Sequence, residues 1–170
     1  ITMSLASLSA STSVAIAGES DDAPLFAAYD QVNGADIEIA ELGVVQGESH
    51  KVRAVAAMVL KDHSAVQQMA RDIADDLGIT YEVADDNEAA KTHKAAYKRL
   101  IGLSGAEFDK AYLEHEVAFH KNAVEAVKTV LIPSTKEPLF REHLEAMLPH
   151  FNHHVQATLE AANALGYDIE

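Results

Sequence analysis

Residues 49–77 read SHKVRAVAAMVLKDHSAVQQMARDIADDL, and their apolar members decide the fold class. Val52, Val55, Val59, Val66, Met69, Ile73 and Leu77 recur at steps of three and four, which lays one apolar stripe along a helix. The step between Val59 and Val66 is filled by His63, and Gly78 closes the run. The same period extends outward in both directions. A helix is predicted from Asp22 to Gln46, with Asp21 and Asp22 as cap candidates and Gly47 as a stop. Residues 79–87 (ITYEVADDN) break the pattern and form a connection. A short helix follows over Glu88–Ile101. Ser104 and Glu107 then have the spacing of a capping box before a third long helix, which reaches Leu131 and stops before Pro133. Ser134 or Thr135 starts the last helix, with Pro138 in its first turn and Gly166 behind Leu165. Four helices, each about 40 Å long at 1.5 Å per residue, suit an antiparallel bundle. The expected fold is all-α: an antiparallel four-helix bundle with one extra short helix before the third long one.

The chain has 170 residues, enough for one domain with a core that needs no staples. Ile1–Ala17 (ITMSLASLSASTSVAIA) carries no charge and ends in Ala15-x-Ala17, the pattern of a secretory signal peptide. It is read as a signal-peptide remnant, with a Ser/Ala-rich arm as the alternative, and 18–170 as a single domain. The signal reading places the mature protein outside the cytoplasm, and no stretch makes a comfortable transmembrane span. Cysteine is absent, which removes disulfides, thiolate metal sites and cysteine nucleophiles together. Asp and Glu number 27 against 13 Lys and Arg, a net charge of −14. Such a surface repels phosphate backbones and excludes nucleic acid as a partner, while it attracts cations and basic proteins.

Nine histidines are the unusual count. His63, His120 and His154 fall on the apolar stripes of three different helices, and Glu116 stands one turn before His120 on the same side. On the first helix the stripe is read through Val32, Ala35, Ile39, Leu42 and Val45, with Glu38 at its edge. His50, His93, His115, His143 and His153 read as peripheral. Levels counted from the turns differ by roughly 8–9 Å within each hairpin, so His150, one turn earlier, matches His120 better than His154 does. Imidazole nitrogens and carboxylates on facing helices bind Zn(II), Fe(II/III), Mn(II) or Cu(II). Glu116 or Asp62 can fix a ligating ring's tautomer from outside the ligand shell. The candidate metal ligands are therefore His63, His120, His154, Glu38, Glu116 and His150, for a transition metal ion. Pro149 is expected to kink the last helix beside them.

Asn33 with Glu38, Val59-Leu-Lys-Asp62-His63, Leu103-Ser-Gly-Ala-Glu-Phe108-Asp109 with Tyr112, His120, and Leu148-Pro149 followed by His154 form a familiar combination. In these pieces the chain resembles the bacterial envelope family called domain of unknown function 4142, over about Asp22–Leu165. The resemblance implies a ferritin-like four-helix bundle in the periplasm or at the outer membrane, without an assigned activity. Leu60 and Phe151, not Glu, stand three residues before His63 and His154, so the chain departs from the Glu-x-x-His pattern of di-iron bundles.

Three functions follow. The first is a periplasmic metal-binding bundle with a histidine-rich interior. The second is a non-catalytic structural or interaction module whose core histidines only hydrogen-bond, with a basic protein or a second copy as partner. The third, a hydrolase or oxidase at the same centre, has no catalytic motif to support it.

Overall fold

The computed structural model describes residues 21–170. The signal-peptide reading of 1–17 lies outside the described residues. Within them the protein is all-helical, with no strand. Helix α1 spans Ala23–Gln46, α2 His50–Leu77, α3 Glu88–Ile101 and α4 Gly105–Ala126. A π-helical turn, Val127–Leu131, and a single turn α5, Ile132–Ser134, carry the backbone on to α6, Pro138–Ala164. Pro24 and Pro138 open their helices where a missing N–H leaves no bond unmade. Ser49 caps α2 by accepting from Lys51 N, and Asn87 caps α3 by accepting from Ala90 N. At Gly78 (φ 67°) the chain enters the left-handed region, and Ile79 N reaches back to Ala74 O at 2.8 Å. Glycine adopts that backbone without a steric penalty.

Two expected caps differ. Ser104 occupies the cap position of α4, but its side chain makes no capping bond; its carbonyl receives Phe108 N instead. Asp22 stands at the cap of α1, yet its carboxylate accepts from Lys136 N at 2.8 Å and Glu137 N at 2.7 Å, the start of α6. Asp109 does the same for the α1–α2 turn, accepting from Glu48 N and Ser49 N, each at 2.8 Å. Carboxylates from distant parts of the chain therefore satisfy the free amides at both turns.

Helix α1 packs along α2, α4 along α6, and α2 against α6, while α3 lies on α1 and α4. The buried face of α1 is Phe26, Tyr29, Asn33, Asp36, Ile39, Ala40 and Gly43. It is turned from the predicted face: Val32 and Ala35 are only half-buried, and Val45 is exposed. Apolar periodicity misses the phase here because three of the buried positions, Asp30, Asn33 and Asp36, are polar. The α1–α4 crossing is close at Gly43, where a Cβ would stand 2.5 Å from Tyr112 Cε2.

The apolar core is in two parts. One gathers Ile39, Val52, Val59, Phe108, Tyr112 and Leu113; the other gathers Phe26, Tyr29, Val66, Val124, Phe140 and Phe151. Between them every long helix contributes a buried polar residue at one level: Asn33 and Asp36, His63, Glu116 and His120, and His154 with Thr158.

Candidate metal centre

That polar layer is organised by the histidines. His63 Nε2 lies 3.2 Å from His120 Nε2, and His154 Nδ1 lies 3.0 Å from the same His120 nitrogen. Asp36 Oδ2 stands 3.1 Å from His63 Nε2 and 3.4 Å from His120 Nε2, and neither approach has hydrogen-bond angles. Four ligands at the bond lengths of a tetrahedral zinc ion stand about 3.3–3.4 Å apart, close to these separations.

The far side of each ring sets its tautomer. Asn33 Nδ2 is engaged by Tyr29 O at 2.7 Å, so its Oδ1 faces His63 Nδ1 at 2.9 Å and must receive a proton from it. His120 Nδ1 donates to Glu116 O at 3.0 Å, and His154 Nε2 to Asp62 Oδ2 at 3.1 Å. Each outer nitrogen is therefore an N–H, and each inner nitrogen carries a bare lone pair. Three lone pairs converge with the Asp36 carboxyl, and the rings offer no donor toward that point.

Burial sharpens the arrangement. Asp36, Glu116, His120 and His154 are inaccessible to solvent and His63 nearly so. Burial pushes the Asp36 carboxyl well above the usual range, and burial together with the Asp36 charge does the same for Glu116. Burial, with the neighbouring rings, holds His63 well below its ordinary value and His120 at about 3. Burial also lowers His154, although Asp62 opposes it. Without a cation the centre therefore favours neutral rings and protonated acids. A metal ion reverses the preference of the carboxylates.

Of the residues singled out from sequence, His63, His120 and His154 meet here. Glu116 is adjacent: its Oε2 lies 3.5 Å from His120 Nδ1, and neither of its oxygens has a hydrogen-bond partner. Asp36, Glu116 and His120 also bring ligand atoms within 4.8 Å of one another. Glu38 does not join. It is exposed on α1, and its Oε2 lies 2.8 Å from His93 Nε2. Two residues beyond Asp36, it points about 200° around the helix. His150 is exposed on α6 and stays outside the cluster. The π-helical turn and α5 move the tip of the α4–α6 hairpin beyond Ser134, so His120 stands 14 residues before Ser134 and His154 16 after Pro138. The mismatch falls to about 3 Å, the same as for His150, which stands 12 after Pro138; what separates the two is the face of α6, which buries His154 and leaves His150 exposed. Helix α6 continues through Pro149, and His143, read as peripheral, is buried. Tyr29 and Tyr112 give their hydroxyls to no histidine. Asp36 was the residue that sequence reading missed. Its signal is the spacing Tyr29, Asn33, Asp36, Ala40, helical in period but partly polar.

A family model described as domain of unknown function DUF4142 matches residues 7–161. The chain belongs to that family. Neither the curated proteins nor the solved structures include a match. For this DUF4142 domain, the chemistry has to be argued from the buried layer itself. What that layer provides is a helical domain of unknown function with a histidine–carboxylate cluster able to hold a metal ion.

Proposed function

We propose that the protein is a transition-metal-binding ferritin-like four-helix bundle of the bacterial cell envelope, with Asp36, His63, His120 and His154 holding one ion. The observation that carries this reading is the tautomer set. Three outer nitrogens are tied to Asn33, Glu116 and Asp62, leaving three inner lone pairs and the Asp36 carboxylate aimed at a common point. A metal-ligating histidine commonly donates its other N–H to an oxygen in this way. Charge supports a divalent ion: three neutral imidazoles with the carboxylates of Asp36 and Glu116 balance it within a layer closed to solvent. The ligand types suit Zn(II), Fe(II), Cu(II) or Mn(II). The envelope placement is supported by the uncharged segment before Gly18 and its Ala-x-Ala ending. No helix among the described residues is long and apolar enough to cross a membrane. The residues 18–170 form the single domain of this reading.

The test is elemental analysis of untagged protein, followed by melting after chelation with each of the four metals added back. One equivalent of metal, lost in His120→Ala together with the metal-dependent rise in Tm, is expected. If no metal copurifies and none of the four raises Tm, the reading fails, and a structural or interaction module with hydrogen-bonded core histidines takes its place.

A further inference from the structure

The histidine layer is closed to solvent, so anything added to the folded chain has to pass between two helices to reach it. The seams are not equally closed. Helices α1 and α4 meet tightly at Gly43, against the Tyr112 ring. At the level of Gly34 and Ala35 they flank a cleft of about 750 Å³, covered by α3 and the connection before it. Small residues keep it open: Gly34 and Ala35 on α1, Ala89 and Ala96 on α3. Of all α3, only Ala90 and Leu100 are buried, so the cover is held at few points.

The cleft stands directly outside the metal layer. On α1 its wall residue Ala35 adjoins Asp36, and on α4 His115 and Phe119 precede Glu116 and His120 by one position each. Phe119 is the shared wall. Half-buried, it lines the cleft, stacks on the His115 ring at 5.8 Å and meets the His120 ring edge-on at 5.6 Å. Turning one ring about its side-chain torsions costs far less than parting two packed helices. The charges around the cleft are paired among themselves, Glu38 with His93, Asp30 with Arg71 and Glu88 with Lys91, so what it offers is a passage rather than a charged site. On the opposite seam, between α2 and α6, the His154 ring presents an N–H to Asp62, whose side chain is 30% exposed. There a bonded ring edge, not an open space, stands between solvent and the layer.

We propose that the cleft between α1, α3 and α4 is the entrance to the buried centre. A solute enters beneath α3, the Phe119 ring turns aside, and His120 and Asp36 are reached from the α1–α4 seam. For the metal ion this inference rests on the function proposed above; for access to the histidines it does not.

The experiment follows two probes in folded, metal-free, full-length protein. Co(II) uptake is recorded by stopped flow through the visible bands of the four-coordinate ion. Access to His63 and His120 is read by mass spectrometry as their rate of acylation by diethyl pyrocarbonate, which attacks neutral imidazole, relative to exposed His150. Phe119→Ala removes two ring contacts and is expected to speed both rates about tenfold, with little change in affinity for Co(II). Ala96→Trp fills the cleft from α3 and is expected to slow both about tenfold without lowering Tm. Should it unfold the protein, Ala89→Trp is the substitute. Leu144→Ala, a truncation in the core away from the cleft, is expected to leave both rates unchanged. Equal acceleration by Leu144→Ala would show entry by general loosening and overturn the proposal. Rates indifferent to both Phe119→Ala and the Trp variant would also overturn it, by moving the entrance to the Asp62 side. Co(II) taken up only during refolding, with His120 unlabelled in the folded chain, overturns the entrance and leaves the metal reading standing. No Co(II) band under either condition overturns the metal reading alone, and the acylation rates then uphold or overturn the entrance by themselves.

Discussion

Replacing Asp36 by Asn keeps the shape of the side chain and removes its charge, and the two main readings of the buried layer predict opposite consequences. Asp36 has no accessible surface, and neither oxygen has a hydrogen-bond partner. In metal-free protein a buried polar group in this condition costs about 1–3 kcal/mol. An amide can donate to the lone pairs of His63 and His120 at any pH, which the carboxyl can do only while it holds its proton. Metal-free Asp36→Asn should therefore be more stable than the parent by about 1–3 kcal/mol. For a chain of this size that is a rise in Tm of roughly 2–12 °C. The pH dependence has a definite sign. Burial raises the folded pKa of Asp36 above its ordinary value of 3.8, so the parent loses stability as pH rises from there through the folded value. The Asn variant's advantage is absent below about pH 4 and grows above it. With metal present the order reverses, because a metal at a thousand times its Kd contributes about 4.1 kcal/mol to the parent, and this is lost with the ligand. Paired melting curves with chelator and with Zn(II), at pH 4 and pH 7, read all of this. An Asn variant that is less stable than the parent without metal, or that keeps the full metal-dependent shift, would refute the assignment of Asp36 as a ligand with no proton donor.

Three further outcomes follow from the same geometry. In metal-free protein, acid should destabilise through the buried rings. His63 and His120 have folded pKa values lowered from 6.5, His120 to about 3, so below pH 6.5 the unfolded chain takes up protons that the folded one refuses. Each ring should contribute a loss of about 1.4 kcal/mol per pH unit on that limb, measurable by urea unfolding and reduced in a His120→Ala variant. Asp62→Asn should weaken metal binding about 10–100-fold with little change in the metal-free melt, since Asp62 only orients His154; a competition titration against a chromogenic chelator would show it, and unchanged affinity would contradict it. Gly43→Ala should destabilise by about 1–3 kcal/mol in urea, because its Cβ would come 2.5 Å from Tyr112 Cε2 and 2.8 Å from Ala56 Cβ; an unchanged midpoint would show that the Tyr112 ring can move aside.

The boundaries of α3, the ends of α1 and α2 and the connection over 79–87 agree with the sequence reading to within a residue or so. Capping chemistry was less legible. Ser104 has the right neighbours for a capping box, and its side chain takes no part. The amides at the turn before α2 and at the start of α6 are instead satisfied by Asp109 and Asp22, which are far away in sequence. Local patterns cannot show a partner that arrives by folding.

The same distinction runs through the candidate site. Sequence alone determined that the chain is helical, because the three/four spacing of apolar residues is a local property of each helix. It also determined that His63, His120 and His154 occupy core positions, since each stands on its own helix's stripe. Which carboxylate and which of the α6 histidines accompany them was decided only by tertiary structure. Asp36 takes the place expected for Glu38 because α1 buries a partly polar face whose phase is set by α2 and α4. His154 rather than His150 joins them because α6 buries the face that carries His154 and leaves His150 exposed; their levels, 16 and 12 residues beyond Pro138, lie equally far from that of His120. Rotation about a helix axis and the level at which two helices meet depend on turns and on the opposing surface. Periodicity within one helix carries neither.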